Sequence, residues 1–227
     1  MKNISIVTGG ASGLGKSLTK KLLEKGQSVC IISRNQAKID AVKNELGADI
    51  VSYAGDLSNE AFCKEVFADL NSKGYYVDYL YNNAGIGIFG EPVDMNMEKI
   101  MAVMNSNVIG LMCLTYEALR NMQNGGTIVN VMSTAALKTP PKESLYSASK
   151  CAVKGFTDSL KQTYKKTNIH IIGVYPGGMN TPFWTPDCGS NPDVSKFMDP
   201  DEVADVIVFN TLERKTSYTS DIVIERK

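Results

Sequence analysis

Tyr146 and Lys150 stand four residues apart in Leu145-Tyr146-Ser147-Ala148-Ser149-Lys150. On a helix that spacing puts both side chains on one face, with Cβ atoms about 5–6 Å apart, so the ammonium reaches the neighbourhood of the phenol. A free tyrosine titrates near pH ~10, and a fixed cation beside it favours the phenolate and draws the group toward the range where it exchanges protons near neutrality. Taken alone, the pair fits a half-buried aromatic and a solvated charge equally well. Ser133 ends the apolar run Ile128-Val129-Asn130-Val131-Met132, at the carboxyl end where open parallel sheets bind ligands, though a lone serine there also serves as a cap or turn. Asn107 falls in phase with the apolar positions Ile100, Val103, Met104, Val108 and Leu111. A buried amide needs polar partners, either a carbonyl or ordered water, or a water chain that serves a site.

A second group of residues reads as a phosphate cradle. In Thr8-Gly9-Gly10-Ala11-Ser12-Gly13-Leu14-Gly15, glycines 9, 13 and 15 follow an apolar run and open a helical one. Such glycines permit a tight turn and close backbone approach to a pyrophosphate, which then faces the N–H groups and positive dipole end of the helix. The next apolar run ends Ile32-Ser33-Arg34-Asn35, without the acidic residue that grips an unphosphorylated ribose. A hydroxyl followed by a guanidinium suits a 2′-phosphate, so Ser33 and Arg34 favour NADP(H) over NAD(H).

The elements that must hold these groups alternate along the chain. Strands are predicted at Ile4–Thr8, Ser28–Ser33, Asp49–Ala54, Val77–Tyr81, Thr127–Met132, His170–Tyr175 and Asp221–Ile224. Helices are predicted at Gly15–Lys25, Gln36–Leu46, Glu60–Leu70, Lys99–Met122, Tyr146–Lys166 and Asp201–Leu212. Strand–helix alternation requires crossover connections, and right-handed crossovers assemble a doubly wound, seven-stranded, mostly parallel sheet with helices on both faces. With no linker or composition break, the reading is α/β, Rossmann-like, one domain over 1–227. The Pro- and Gly-rich stretch at about 177–199 breaks the rhythm and carries Met179, Phe183, Trp184, Phe197 and Met198, so it reads as a lid.

Composition narrows the function classes. Lys+Arg and Asp+Glu both number 24, so no basic field exists to attract nucleic acid or an anionic membrane. No apolar run approaches the ~18 residues of a membrane span. The five scattered cysteines and the single histidine, His170, lack the clustering of a metal site, and read as reduced, buried thiols in a cytoplasmic protein. Cys151 reads as packing rather than a nucleophile, and His170 as a surface residue opening a strand.

In order along the chain, Thr8-Gly9…Gly13…Gly15, Asp56-Leu57, Asn82-Asn83-Ala84-Gly85, Asn107, Ser133, Tyr146-x-x-x-Lys150 and Pro176-Gly177 followed by Thr181 resemble the short-chain dehydrogenase/reductase family in its single-domain form. The resemblance spans nearly the whole chain and includes the step from Ser133 to Tyr146. It implies Tyr146 as general acid, Lys150 as the group that lowers the phenol pKa and bonds the nicotinamide ribose, and Ser133 as the group that polarises the carbonyl. It implies Asn107 as the holder of a relay water. On the cofactor side it implies contacts from Gly9, Ser12, Gly13, Leu14, Gly15, Ser33 and Arg34. Asp56 would contact the adenine backed by Leu57, Asn83 would lie beside the adenosine ribose with Ala84 and Gly85, and Pro176, Gly177 and Thr181 would stand near the carboxamide.

The same resemblance sets the substrate pocket at Ile86, Phe89, Ala135, Leu137, Met179, Phe183 and Trp184, an apolar set that suits a small, uncharged apolar or aromatic ketone, diketone or aldehyde. The implied activity is an NADP(H)-dependent carbonyl reductase or alcohol dehydrogenase. The alternatives are a non-catalytic NADP(H) redox sensor and an epimerase or dehydratase using the same pair. A homodimer through the helices holding Asn107 and Tyr146 is expected; the chain ends three residues after the last strand, which weighs against a tetramer.

Overall fold

The computed structural model describes residues 2–47, 49–214 and 216–227. Seven strands, β1 (Lys2–Thr8), β2 (Val29–Ser33), β3 (Val51–Ala54), β4 (Tyr75–Asn82), β5 (Gly126–Val131), β6 (Ile169–Pro176) and β7 (Asp221–Ile224), form one sheet in the order β3-β2-β1-β4-β5-β6-β7. All pairings are parallel. Alternate residues of each strand enter different cores, which explains the near-continuous apolar runs of the sequence. Val7, Ile31, Val129 and Val174 pack with Leu18 of α1 (Gly13–Glu24), Ile39 of α2 (Gln36–Leu46) and Ile207 of α7 (Pro200–Leu212). Ile6, Ile32, Ile128 and Ile171 pack with Phe67 of α3 (Glu60–Ser72), Leu114 of α5 (Gly110–Asn121) and Leu160 of α6 (Ser144–Tyr164).

The predicted strands are all found, with ends moved by one or two residues, because β-branched runs bounded by Gly, Asn and Ser leave little freedom in their placement. One predicted element is interrupted. The helix expected over Lys99–Met122 begins with α4 (Met97–Met104), passes through a π-helical turn at Asn105–Ile109, and resumes as α5. Such wide turns carry an i→i+5 bond and occur often at functional sites.

The chain order reverses between β1 and β4, both of which lead outward at their carboxyl ends, so the loops above them diverge and leave a crevice. Over it lies the 177–199 segment, which is ordered by its own contacts. Met179 and Met198 form an isolated parallel bridge, with Asn180 N donating to Met198 O (2.9 Å) and Met198 N to Gly178 O (3.1 Å). Among the described residues no helix is long and apolar enough to cross a membrane. The five cysteines are unpaired; Cys30, Cys63 and Cys188 are buried and Cys113 half-buried. Cys151, expected to be packed, is exposed, because it lies on the face of α6 opposite Val153 and Leu160. His170 is half-buried against the Tyr218 ring, with centroids 4.6 Å apart.

Candidate active site

A cleft of about 1000 Å³ opens over the carboxyl ends of the strands. The sequence-predicted residues line it except for Gly15, Asn107 and Leu137. Gly15 acts from behind: a Cβ there would stand 2.2 Å from Gly9 O and 2.6 Å from Asn83 Nδ2, so only glycine lets the loop, the helix start and the β4 loop meet. Gly9 itself lies at φ +67°, a left-handed turn that glycine adopts freely. Thr8, which had no assigned role, ties the two strands at the reversal point. Its Oγ1 accepts the N–H groups of Asn83 and Ala84 (both 2.9 Å), and its carbonyl accepts Asn83 Nδ2 (3.0 Å).

The start of α1 differs from the starts of its neighbours. Asn35, Asn59, Asn96 and Asp199 each cap their own helices with a side-chain oxygen, whereas Ser12 makes no such bond to α1. The first N–H groups of α1 are therefore directed into the cleft without an internal acceptor, which fits an anion held there. Thr181 reaches across to this point: a Cβ on Gly13 would lie 3.2 Å from Thr181 Cβ. At the end of β2, half-buried Ser33 is followed by exposed Arg34, and Lys38 joins them on the cleft wall. No acidic side chain intervenes between Ser33 and Lys38. Asp56, farther along that wall, accepts the backbone N–H and hydroxyl of Ser58 (2.9 Å each).

The opposite part of the cleft holds the chemical groups. Lys150, on α6, is 5 % exposed and donates from Nζ to Val131 O (3.2 Å). Burial pulls its ammonium down to about 8. Its Nζ lies over the Tyr146 ring, 5.7 Å from the centroid. Burial also pushes the Tyr146 phenol above its ordinary value; the Ser133 hydroxyl opposes that rise and the Glu143 charge adds to it. Among the protein's own groups burial sets the direction, and it favours the protonated phenol. Ser133 is itself aimed by its local turn, its Oγ accepting Ala135 N (3.1 Å).

Asn107 lies in the π-turn, 1 % exposed, and both sides of its amide are engaged. Oδ1 accepts Ile86 N (2.8 Å), while Nδ2 donates to Ile86 O (2.9 Å) and Ser149 Oγ (3.0 Å). It thereby fixes the 85–86 backbone beside Lys150: a Cβ on Gly85 would lie 3.1 Å from Asn107 Oδ1 and 3.4 Å from Lys150 Nζ.

Aromatic rings cover the phenol. Phe89 meets Tyr146 edge-on at 5.4 Å, Phe183 lies 5.8 Å away, and Trp184 stacks on Phe89 at 5.6 Å. Trp184 Nε1 donates to Met179 O (3.0 Å), and Phe89 N to Cys188 O (2.7 Å), which joins the covering segment to the 86–90 loop. Leu137, expected in this pocket, is 45 % exposed outside it, because the 3₁₀ turn Thr134–Ala136 carries the chain outward after Ala135. Sequence reasoning also missed Glu143 and Arg226, both on the cleft wall. Neither type nor spacing marked them, since each reads as an ordinary charge at the end of an element.

A buried, protonated phenol beside a hydroxyl and an ammonium can hand a proton to an oxygen placed among them, next to a cradle suited to a dinucleotide. Comparisons with known proteins show the family. Residues 3–188 match the family model described as short chain dehydrogenase. The chain is 32 % identical over 216 residues to carbonyl reductase family member 4 of Xenopus laevis, covering 92 % of this chain and 91 % of that one. It is 31 % identical to the human 3-oxoacyl-[acyl-carrier-protein] reductase at the same coverage. Among solved structures it is similar to a 3-ketoacyl-(acyl-carrier-protein) reductase from Brucella melitensis complexed with NADH, with TM-score 0.87, 27 % identity and coverage of 99 % of this chain and 96 % of that one.

Proposed function

Since the chain belongs to the short-chain dehydrogenase family of oxidoreductases, we propose that it is an NADP(H)-dependent reductase of small carbonyl compounds with an apolar or aromatic body. The observation that carries this reading is the buried phenol of Tyr146 held protonated among Ser133, Lys150 and the ring-lined cover. In the reductive direction Tyr146 gives its proton to the carbonyl oxygen, and Ser133 donates a hydrogen bond that holds that oxygen in place. Lys150 supplies positive charge beneath the ring and a donor toward the cofactor ribose, while Asn107 fixes the adjoining backbone and anchors a water leading from Lys150 to solvent. The bound nicotinamide supplies the hydride that completes the reduction.

The rest of the cleft is assigned by its donors and shape. Gly9, Ser12, Gly13, Leu14 and the start of α1 take the pyrophosphate. Ser33 and Arg34, with Lys38, take a 2′-phosphate, and the supporting fact is that no acidic residue lies between Ser33 and Lys38. Asp56 and Leu57 flank the adenine, Asn83, Ala84 and Gly85 the adenosine ribose, and Pro176, Gly177 and Thr181 the nicotinamide side. That the Brucella relative holds NADH supports a nicotinamide cofactor in general, and the preference for NADP(H) rests on Ser33, Arg34 and Lys38. Exposed Met101, Ile109 and Tyr116 on the α4–α5 stretch support a homodimer through this face, in a cytoplasmic protein. The test is a panel of ketones, diketones and aldehydes assayed for NADPH consumption. Turnover of apolar or aromatic members is expected, and no consumption with any of them would reject the reductase reading.

A further inference from the structure

We infer that Glu143 is a specificity-determining residue of this cleft, selecting carbonyl substrates that carry a cationic nitrogen over those that carry a carboxylate. The inference rests on the reductase reading and deepens it. Glu143 precedes the phenol by three residues, is half-buried, and lines the cleft beside Pro140 and Tyr146. Its charge acts on the phenol, so it lies within electrostatic reach of the reacting group.

The turn that delivers Glu143 is tightly held. Lys142 has φ +63°, the one left-handed backbone outside glycine among the described residues. Strain of this sort persists only where surrounding contacts enforce it. Here Lys142 O accepts Gly90 N (2.8 Å), Lys142 Nζ pairs with Glu91 Oε1 (2.7 Å), and Glu143 O accepts Ser147 N (2.7 Å) to start α6. The ammonium of the preceding residue, Lys142, is therefore drawn to Glu91. Among the described residues no hydrogen bond or ion pair is made by the Glu143 carboxylate itself, and burial raises its pKa.

A partly desolvated carboxylate without a partner gains from a cation and repels an anion. The rings of Phe89, Phe183 and Trp184, which line the same cleft, add to this preference, since aromatic faces also attract cationic nitrogen. The other charges lining this half of the cleft are Lys150, whose ammonium is buried beneath the Tyr146 ring, Asp187, which is again acidic, and Arg226, whose guanidinium lies over Phe197 at 4.7 Å.

Three acetophenones with methyl, aminomethyl or carboxylate in the para position test the inference. They are compared as substrates with NADPH. Independently of turnover, they are compared as ligands of the NADP+ complex by quenching of Trp184, the chain's one tryptophan. The wild type should favour aminomethyl over carboxylate, with methyl as reference. Glu143→Gln should shrink the aminomethyl-to-carboxylate ratio by about tenfold or more, the size of one hydrogen bond to a charged group, and Glu143→Lys should invert it. A wild type that prefers the carboxylate, or a ratio unmoved in Glu143→Gln, overturns the inference. Ligands that bind in the expected order without being reduced would reject the reductase reading and leave the role of Glu143 standing.

Discussion

The two walls of the cleft are built in different ways. On the sheet side, Asn107, Lys150 and Ser133 each bond to backbone groups of neighbouring elements: Ile86, Val131 and Ala135. Their supports are strands and helices buried in the two cores, so small displacements meet packed neighbours. On the covering side, Phe183, Trp184 and Phe197 are held mainly by ring–ring contacts, with one indole hydrogen bond and one strand-like bridge. Ring contacts tolerate rearrangement that hydrogen bonds do not. The first wall is suited to holding reacting atoms in register, the second to accommodating different substrates.

If that division holds, damage to the sheet wall should act on turnover and damage to the cover on substrate affinity. The largest effect is expected from Tyr146→Phe, which removes the proton donor and should lower kcat/KM by about 10³-fold while NADP(H) affinity survives. Near-normal turnover would remove the phenol from the chemistry. Next, Ser33→Asp combined with Arg34→Leu should swing the ratio of NADPH to NADH dissociation constants by about 100-fold toward NADH, the scale of one or two charge-assisted bonds. An unchanged ratio in titrations would place the 2′-phosphate elsewhere.

The third effect follows from burial of Lys150. Its ammonium, ordinarily at 10.5, is held at about 8, so the protonated form prevails below that pH and is lost above it. Reductive kcat/KM should therefore fall as pH rises through about 8, and a profile flat through that range would rule out a need for the charged lysine. The smallest effect is expected from Phe183→Ala, which removes ring contacts with Phe89, Tyr146 and Trp184. It should raise KM by about 2–10-fold, the worth of an aromatic pair, with little change in kcat. A larger loss in kcat than in KM would move Phe183 to the chemical wall.

The sheet wall was legible in the sequence because its physics is local. Runs such as Ile128–Val131, short, rich in β-branched residues and bounded by glycines and a serine, read as buried strands, and Ser133 follows at the strand end. Asn107 announced itself as a polar residue in an apolar phase. The π-turn around it was not legible, since no residue type reports a shift from i→i+4 to i→i+5 bonding, and Asn107 keeps its phase with the residues before it. The effect of burial on Tyr146 was not legible for a related reason: sequence shows the lysine four residues away but not how deeply the ring is buried. On the cover, composition revealed the aromatic residues, while the placement of Leu137, Glu143 and Arg226 depended on tertiary turns that leave no periodic trace.

The bridge between Met179 and Met198 means that the covering segment leaves and re-enters the scaffold at nearly one point. A loop closed at its neck can be lengthened, trimmed or exchanged without stretching the strands below, because closure cost grows only logarithmically with length. Evolution or a designer could graft a different cassette between those two methionines and obtain a new preference on the same proton-transfer machinery.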